Sequence, residues 1–212
     1  MVAPMFPVLA IALLLDAAWM PPVEEFDNLL NRRVQVWRKA TKVMGDRIGR
    51  AFAYADVARE VSPSPLLELV DPSLEQLETL GLFSYNYGSN LAHGLTMMVD
   101  ACRQDGVERA LLIASTMPNT VMDGDGHPVQ SFPPSQENMA ATRMAMDACA
   151  GVGLRVDTVT IAGFPDPPNW ITPFTAEAFL ADLTTGAGGS TLTLRPQDDL
   201  DILRRALTSW YE

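Results

Sequence analysis

Two rhythms of apolar and polar residues organise the chain. One is the short unbroken apolar run. Residues 8–15 (VLAIALLL) and 110–114 (ALLIA) carry no polar side chain. Such runs read as strands buried on both faces, as in a parallel sheet flanked by helices. Residues 154–161 predict a third core strand and 190–194 a last one. Residues 48–54 and 57–61 predict two shorter strands joined at Ala55-Asp56.

The other rhythm is helical. Across residues 24–44, Phe26, Leu29, Leu30, Val34, Trp37 and Val43 fall near a 3.6 spacing, with Arg32, Arg33, Arg38 and Lys39 between. Residues 66–80 contain Pro72 and offer only short helical pieces. After the loop Gly88-Ser89-Asn90, a helix carries Leu91, Leu95, Met98, Val99 and Cys102 on one face, and Asp105-Gly106 ends it. Ser135 caps a helix lined by Met139, Thr142, Met146 and Cys149. Thr172-Pro173 predicts the start of the next helix, with Phe179, Leu180 and Leu183 inside and Gly186 at its end. Leu200, Leu203, Leu207 and Trp210 form the inner face of a last helix. Strand and helix alternate from end to end. The expectation is one domain over 1–212, an α/β fold with an open, mostly parallel, doubly wound sheet and helices on both faces.

Residues 117–134 predict a long irregular loop and 163–172 a proline-rich one carrying Trp170. Asp123-Gly124-Asp125-Gly126 has the start of a calcium loop, but Pro134 falls where the closing Glu belongs, so a flexible turn is expected. His93 and His127 lack the neighbouring ligands of a zinc site.

Composition narrows the function. The net charge of −11 repels phosphate backbones, which excludes nucleic acid as a general partner. No apolar run reaches the roughly 18 residues needed to span a bilayer. No Lys or Arg precedes the first apolar run, so it reads as a strand and not as a targeting segment. Cys102 and Cys149, each in a helical pattern, are expected to be buried free thiols in a reducing, cytoplasmic setting. No nucleophile elbow, phosphate loop or paired catalytic carboxylates occur.

The first apolar run stops at Asp16. A charge does not sit deep in a parallel sheet, so Asp16 marks the strand's carboxyl end, the edge where open α/β sheets bind ligands. Asp16, the Gly88-Ser89-Asn90-Leu91 loop opening a helix, and the strand ending at Ser115 together resemble the three landmarks of a von Willebrand factor A domain. The stretch from Asn90 to Leu95 and the Phe132-Pro133-Pro134-Ser135 loop resemble its bacterial intracellular branch. In that family the three loops build a metal-ion-dependent adhesion site. Its first strand ends in Asp-x-Ser-x-Ser, its second loop supplies a Thr and its third strand ends in Asp.

Here Asp16 keeps the first position. Ala18 and Met20 stand where the serines belong, Ser89 replaces the threonine, and Ser115 replaces the last aspartate. The resemblance thus implies a degenerate site of Asp16, Ser89 and Ser115. Mg2+ wants a shell of oxygens, and one carboxylate with two hydroxyls disfavours it, so no cofactor is expected. The resemblance implies a non-enzymatic protein–protein interaction module, with an AAA+ ATPase or other subunits of a complex as partner. Trp19, Met20, Asn90 and Asn119 are the candidate contact residues at the edge. Two alternatives stay open: an α/β hydrolase-like enzyme with Asp16 as general base beside Ser89 or Ser115, and a structural subunit that uses no special edge.

Overall fold

The computed structural model describes residues 10–18, 26–62, 73–84, 88–163 and 175–212. Eight strands and six α-helices lie within them: β1 (Ile11–Asp16), α1 (Phe26–Met44), β2 (Ile48–Tyr54), β3 (Ala58–Val61), α2 (Leu74–Thr79), α3 (Leu91–Asp105), β4 (Arg109–Ala114), β5 (Thr120–Met122), β6 (Pro128–Gln130), α4 (Gln136–Gly151), β7 (Arg155–Ile161), α5 (Ala176–Gly186), β8 (Thr191–Leu194) and α6 (Leu200–Tyr211).

Six strands form one sheet in the order β3-β2-β1-β4-β7-β8. β3 runs antiparallel to β2 at one edge, and the remaining pairs are parallel. The expected doubly wound α/β architecture is therefore present. β1 is central and buried along its whole length, which is why it reads as an unbroken apolar run. Leu13 and Leu15 face a core built with α1, α2 and α6. Ala12 and Leu14 face a second core built with α3, α4 and α5. Each fully buried leucine of this kind contributes about 1.5–3 kcal/mol. From β1 the chain first builds toward β2 and β3, then crosses back to place β4 on the other side. The order reverses between β1 and β4, the switch point at which open α/β sheets bind ligands.

The terminal helix is held by more than its leucines. Asp157, with a side chain 0% exposed, accepts from Arg109 at 2.8 Å and from Arg155 at 3.1 Å. Arg109 also donates to the Trp210 carbonyl, and its guanidinium lies over the Tyr211 ring. The charge cluster thus ties α6 to the amino-terminal end of β4.

Several details correct the sequence reading. Residues 117–134 are not irregular throughout: β5 and β6 form an antiparallel hairpin. Its turn is tied and not a loose loop, because Asp123 Oδ1 accepts from the amides of Asp125 and His127. α5 begins at Ala176 and is capped by Thr175, whose side chain accepts from the Ala178 amide. The expected strands and helices at 48–61, 91–105 and 136–161 hold to within a few residues. Gly106 ends α3 with a φ of +67°, a backbone state that an L side chain resists. Cys102 and Cys149 are buried free thiols. Among the described residues no helix is long and apolar enough to cross a membrane. Trp19, Met20, Trp170, the 62–65 turn beyond Ser62 and Thr172-Pro173 lie outside the described residues.

Candidate functional site

Asp16 is the last residue of β1 and pairs with Tyr54 of β2. It is 1% exposed, so its carboxylate must find partners inside the protein. The β4–β5 loop supplies most of them. Oδ2 accepts from the Ser115 amide at 2.9 Å, the Ser115 hydroxyl at 3.1 Å, the Thr116 amide at 2.9 Å and the Thr116 hydroxyl at 2.7 Å. Oδ1 accepts from the Ala18 amide at 3.0 Å. Thr116 Oγ1 also lies 2.9 Å from Ser89 Oγ. A hydroxyl has one hydrogen; with Thr116's aimed at Asp16, Ser89 donates to Thr116.

The three sequence-predicted positions Asp16, Ser89 and Ser115 therefore do meet at one rim, with Thr116 between Asp16 and Ser89. The loop before α3 is fastened to the loop after β4 by backbone as well. Ser89 N donates to Asn119 Oδ1 at 2.7 Å, and the Asn119 amide returns a bond to the Ser89 carbonyl at 3.0 Å. Asn90 caps α3 through the His93 amide, and its Nδ2 reaches the Asp56 carbonyl. Gly88 is needed for this approach: a Cβ there would lie 2.7 Å from Asp56 Cβ and 2.8 Å from Thr120 Oγ1. Asn90 and Asn119 are 0% and 2% exposed. Their side chains face inward, so what they offer a partner is the loop shape they set. His93 Nδ1 accepts from the Ala58 amide, which gives that imidazole a structural task.

Two further side chains belong to the rim and escape the sequence patterns. Arg33 of α1 is 2% exposed. Its Nη1 donates to the Ala18 carbonyl at 2.8 Å and its Nη2 to Ser115 Oγ at 2.6 Å. Burial lowers its pKa, opposed by the charges of Asp16 and Tyr54; a guanidinium remains protonated regardless. Arg33 falls three and four residues from Leu29, Leu30, Val36 and Trp37, all buried. An arginine on that helical phase is the available signal. Tyr54 is the second. Its hydroxyl is buried with no hydrogen-bond partner among the described residues. Burial first, then the Asp16 carboxylate, push its pKa well above the usual phenol value, with Arg33 pulling the other way.

The donor set does not suit a divalent ion. Both Asp16 oxygens are engaged by N–H and O–H groups, and the Ser115 and Thr116 hydroxyl oxygens already accept from Arg33 and Ser89. Ala18 offers no side-chain oxygen, and the Arg33 guanidinium adds a positive charge next to the position an ion would take. Among the described residues no cluster of three His, Cys, Asp or Glu side chains could hold a metal.

Beside the rim, on the β2–β3 side, lies a cleft of about 290 Å³ lined by Ala17, Tyr54, Asp56, Arg59, Glu78 and Ser84 among others.

No protein-family model matches the chain, and no curated protein matches its sequence. Solved structures do. The PilB minor pilin from Streptococcus sanguinis superposes with a TM-score of 0.58 at 11% identity over 98% of this chain. This chain spans 62% of that protein's length. An aerotolerance-related membrane protein from Bacteroides fragilis gives 0.50 at 12% identity, covering 96% of this chain and 98% of that one. A manganese-loaded TRAP protein from Plasmodium vivax gives 0.49 at 12% identity, covering 76% and 65%. At such identities the likeness concerns the fold alone. That fold is an open, mostly parallel, Rossmann-like α/β sheet with helices on both faces.

Proposed function

We propose that this chain is a non-enzymatic protein-interaction module. Its contact face is the carboxyl edge of the sheet around Asp16, Ser89 and Ser115, used without a tightly bound metal. The observation that carries this reading is the locking of three loops over the switch point between β1 and β4. Asp16 holds the loop after β4 through four hydrogen bonds, and the loop before α3 is bonded to the same segment. A face fixed in this way is pre-organised, and pre-organisation lowers the cost of binding.

The same bonds weigh against the hydrolase alternative. A general base needs a free lone pair directed at a proton, whereas Asp16 is buried and engaged at both oxygens. His93 is committed to the Ala58 amide and so is not aimed at Ser89. The resemblance points to an AAA+ ATPase or another subunit of a complex as partner, in a cytoplasmic setting. Trp19 and Met20, which follow directly on the Ala17-Ala18 pair, are the proposed apolar contacts, since aromatic and Met side chains are enriched at interfaces.

The test is a capture experiment from native lysate with three forms of the chain. The rim form carries Trp19→Ala and Val57→Asp; Val57 is 42% exposed at the β2–β3 turn. The control form carries Glu108→Lys, exposed at the opposite end of the sheet. A partner retained by the unaltered and control chains and lost from the rim form supports the reading. Equal retention by all three removes the edge as the interface.

A further inference from the structure

We infer that Arg33 is the resident cation of this rim. It supplies, as part of the chain, the positive charge that a divalent ion brings to the adhesion sites this rim resembles. Arg33 neutralises Asp16 and joins the loops whichever partner the edge binds.

A carboxylate that is 1% exposed is costly without a counter-charge. Among the described residues, Arg33 supplies it. Its side chain enters from α1 and touches two of the three loops at once. Nη1 takes the carbonyl of Ala18, the position that lacks a side-chain oxygen. Nη2 takes the hydroxyl of Ser115, the position that lacks a carboxylate. That hydroxyl passes its own hydrogen to Asp16 Oδ2 at 3.1 Å. Cation, hydroxyl and carboxylate therefore stand in a row, with hydrogen bonds running one way along it. The guanidinium thus meets the chain at two of the positions that depart from the adhesion-site pattern, Ala18 and Ser115.

Two consequences separate this arrangement from a merely vacant metal site. The loops need no ion to assemble, so chelators and added divalent ions leave the rim unchanged. Asp16 and Arg33 are also energetically coupled, because they share the Ser115 hydroxyl and removing Arg33 deprives the buried carboxylate of that cation.

The experiment compares thermal melting of the unaltered chain, Asp16→Asn, Arg33→Met, Arg33→Lys and the Asp16→Asn/Arg33→Met double variant. Each is melted with EDTA and with millimolar MnCl2, and Mn2+ binding is followed by the loss of the free-ion electron paramagnetic resonance signal. For the unaltered chain we expect the same Tm in both solutions and no loss of the Mn2+ signal. Arg33→Met should melt roughly 10 °C lower in EDTA, and Mn2+ should recover part of that loss. Arg33→Lys, which keeps the charge but not the fork, should fall between the two. The double variant should melt no lower than Arg33→Met alone and should ignore Mn2+. Additive losses from the two single changes would overturn the inference, as would Mn2+ binding by the unaltered chain that Asp16→Asn abolishes. An Arg33→Met chain that Mn2+ does not stabilise would also overturn it. Should Arg33→Met not fold, the Arg33→Lys series and the chelator comparison on the unaltered chain decide the same question.

Discussion

Replacing Asp16 with Asn keeps the shape of the side chain and changes only what it can accept. The carboxylate takes five hydrogen bonds, four on Oδ2 and one on Oδ1. An amide has one oxygen. If it faces Ser115 and Thr116, the NH2 meets the Ala18 amide, donor against donor. If it is turned, it meets four donors instead. A buried unsatisfied donor costs about 1–3 kcal/mol. The change also removes the attraction between that carboxylate and the buried Arg33 guanidinium, which meet across the Ser115 hydroxyl. Two unit charges about 5 Å apart attract by roughly 3 kcal/mol at an effective dielectric near 20. Breaking a buried pair by removing one partner costs about 3–5 kcal/mol, and the two estimates agree. Urea unfolding followed by circular dichroism should therefore show Asp16→Asn destabilised by about 3–5 kcal/mol, with the midpoint lowered and the m-value unchanged. A loss below about 0.5 kcal/mol, the scatter of ordinary surface changes, would refute the reasoning. It would mean that neither the five donors nor Arg33 depend on the charge.

Three other outcomes follow from separate parts of the molecule. Asp157→Ala leaves Arg109 and Arg155 without their shared carboxylate; hydrogen exchange should rise first across α6, with about 1.5–3 kcal/mol lost overall, and unchanged protection of residues 200–211 would contradict the clamp. Burial raises the Cys102 thiol to about 11 and the Cys149 thiol to about 12, and the thiolate is the reactive form. A chromogenic disulfide reagent at pH 8 should therefore react with both thiols only after unfolding; rapid reaction of the folded chain would contradict their burial. Partial burial holds His93 below its ordinary value of 6.5 while its neutral Nδ1 accepts from the Ala58 amide. Because the unfolded chain binds that proton more readily, stability is full above pH 6.5 and declines as pH falls toward the lowered folded value. His93→Gln should flatten that part of the pH–stability curve; an unaltered slope would assign it elsewhere.

Much of the fold was legible because its strongest signals are local. A strand buried on both faces has no polar side to show, so β1 and β4 read as unbroken apolar runs and Asp16 as the point where the apolar run stops. The α3 and α4 stripes, Gly106 at the end of α3 and the Ser135 cap of α4 were equally plain. The β5–β6 hairpin was not, since three-residue strands lack room for a period and Pro128 and Gln130 are exposed. At the site, Asp16, Ser89 and Ser115 could be placed by their positions at element ends. Thr116 could not, because a hydroxyl two residues past a strand looks like any turn residue. Arg33 was hidden by its neighbour. Arg32 and Arg33 stand side by side in the chain but about 100° apart around the helix, and only Arg33 shares the buried face of Leu29, Leu30 and Trp37. Its role appears once the rim that receives the guanidinium is assembled from segments remote in sequence.

The loops of the rim are held together from within. The most direct measurement of that is amide hydrogen exchange at Ala18, Ser115 and Thr116 in the unaltered chain, first in EDTA and then with saturating Mg2+. The amides that Asp16 holds should exchange slowly and at the same rates in both solutions. Fast exchange in EDTA that Mg2+ slows would contradict this, because it would make a bound ion the element that closes the rim.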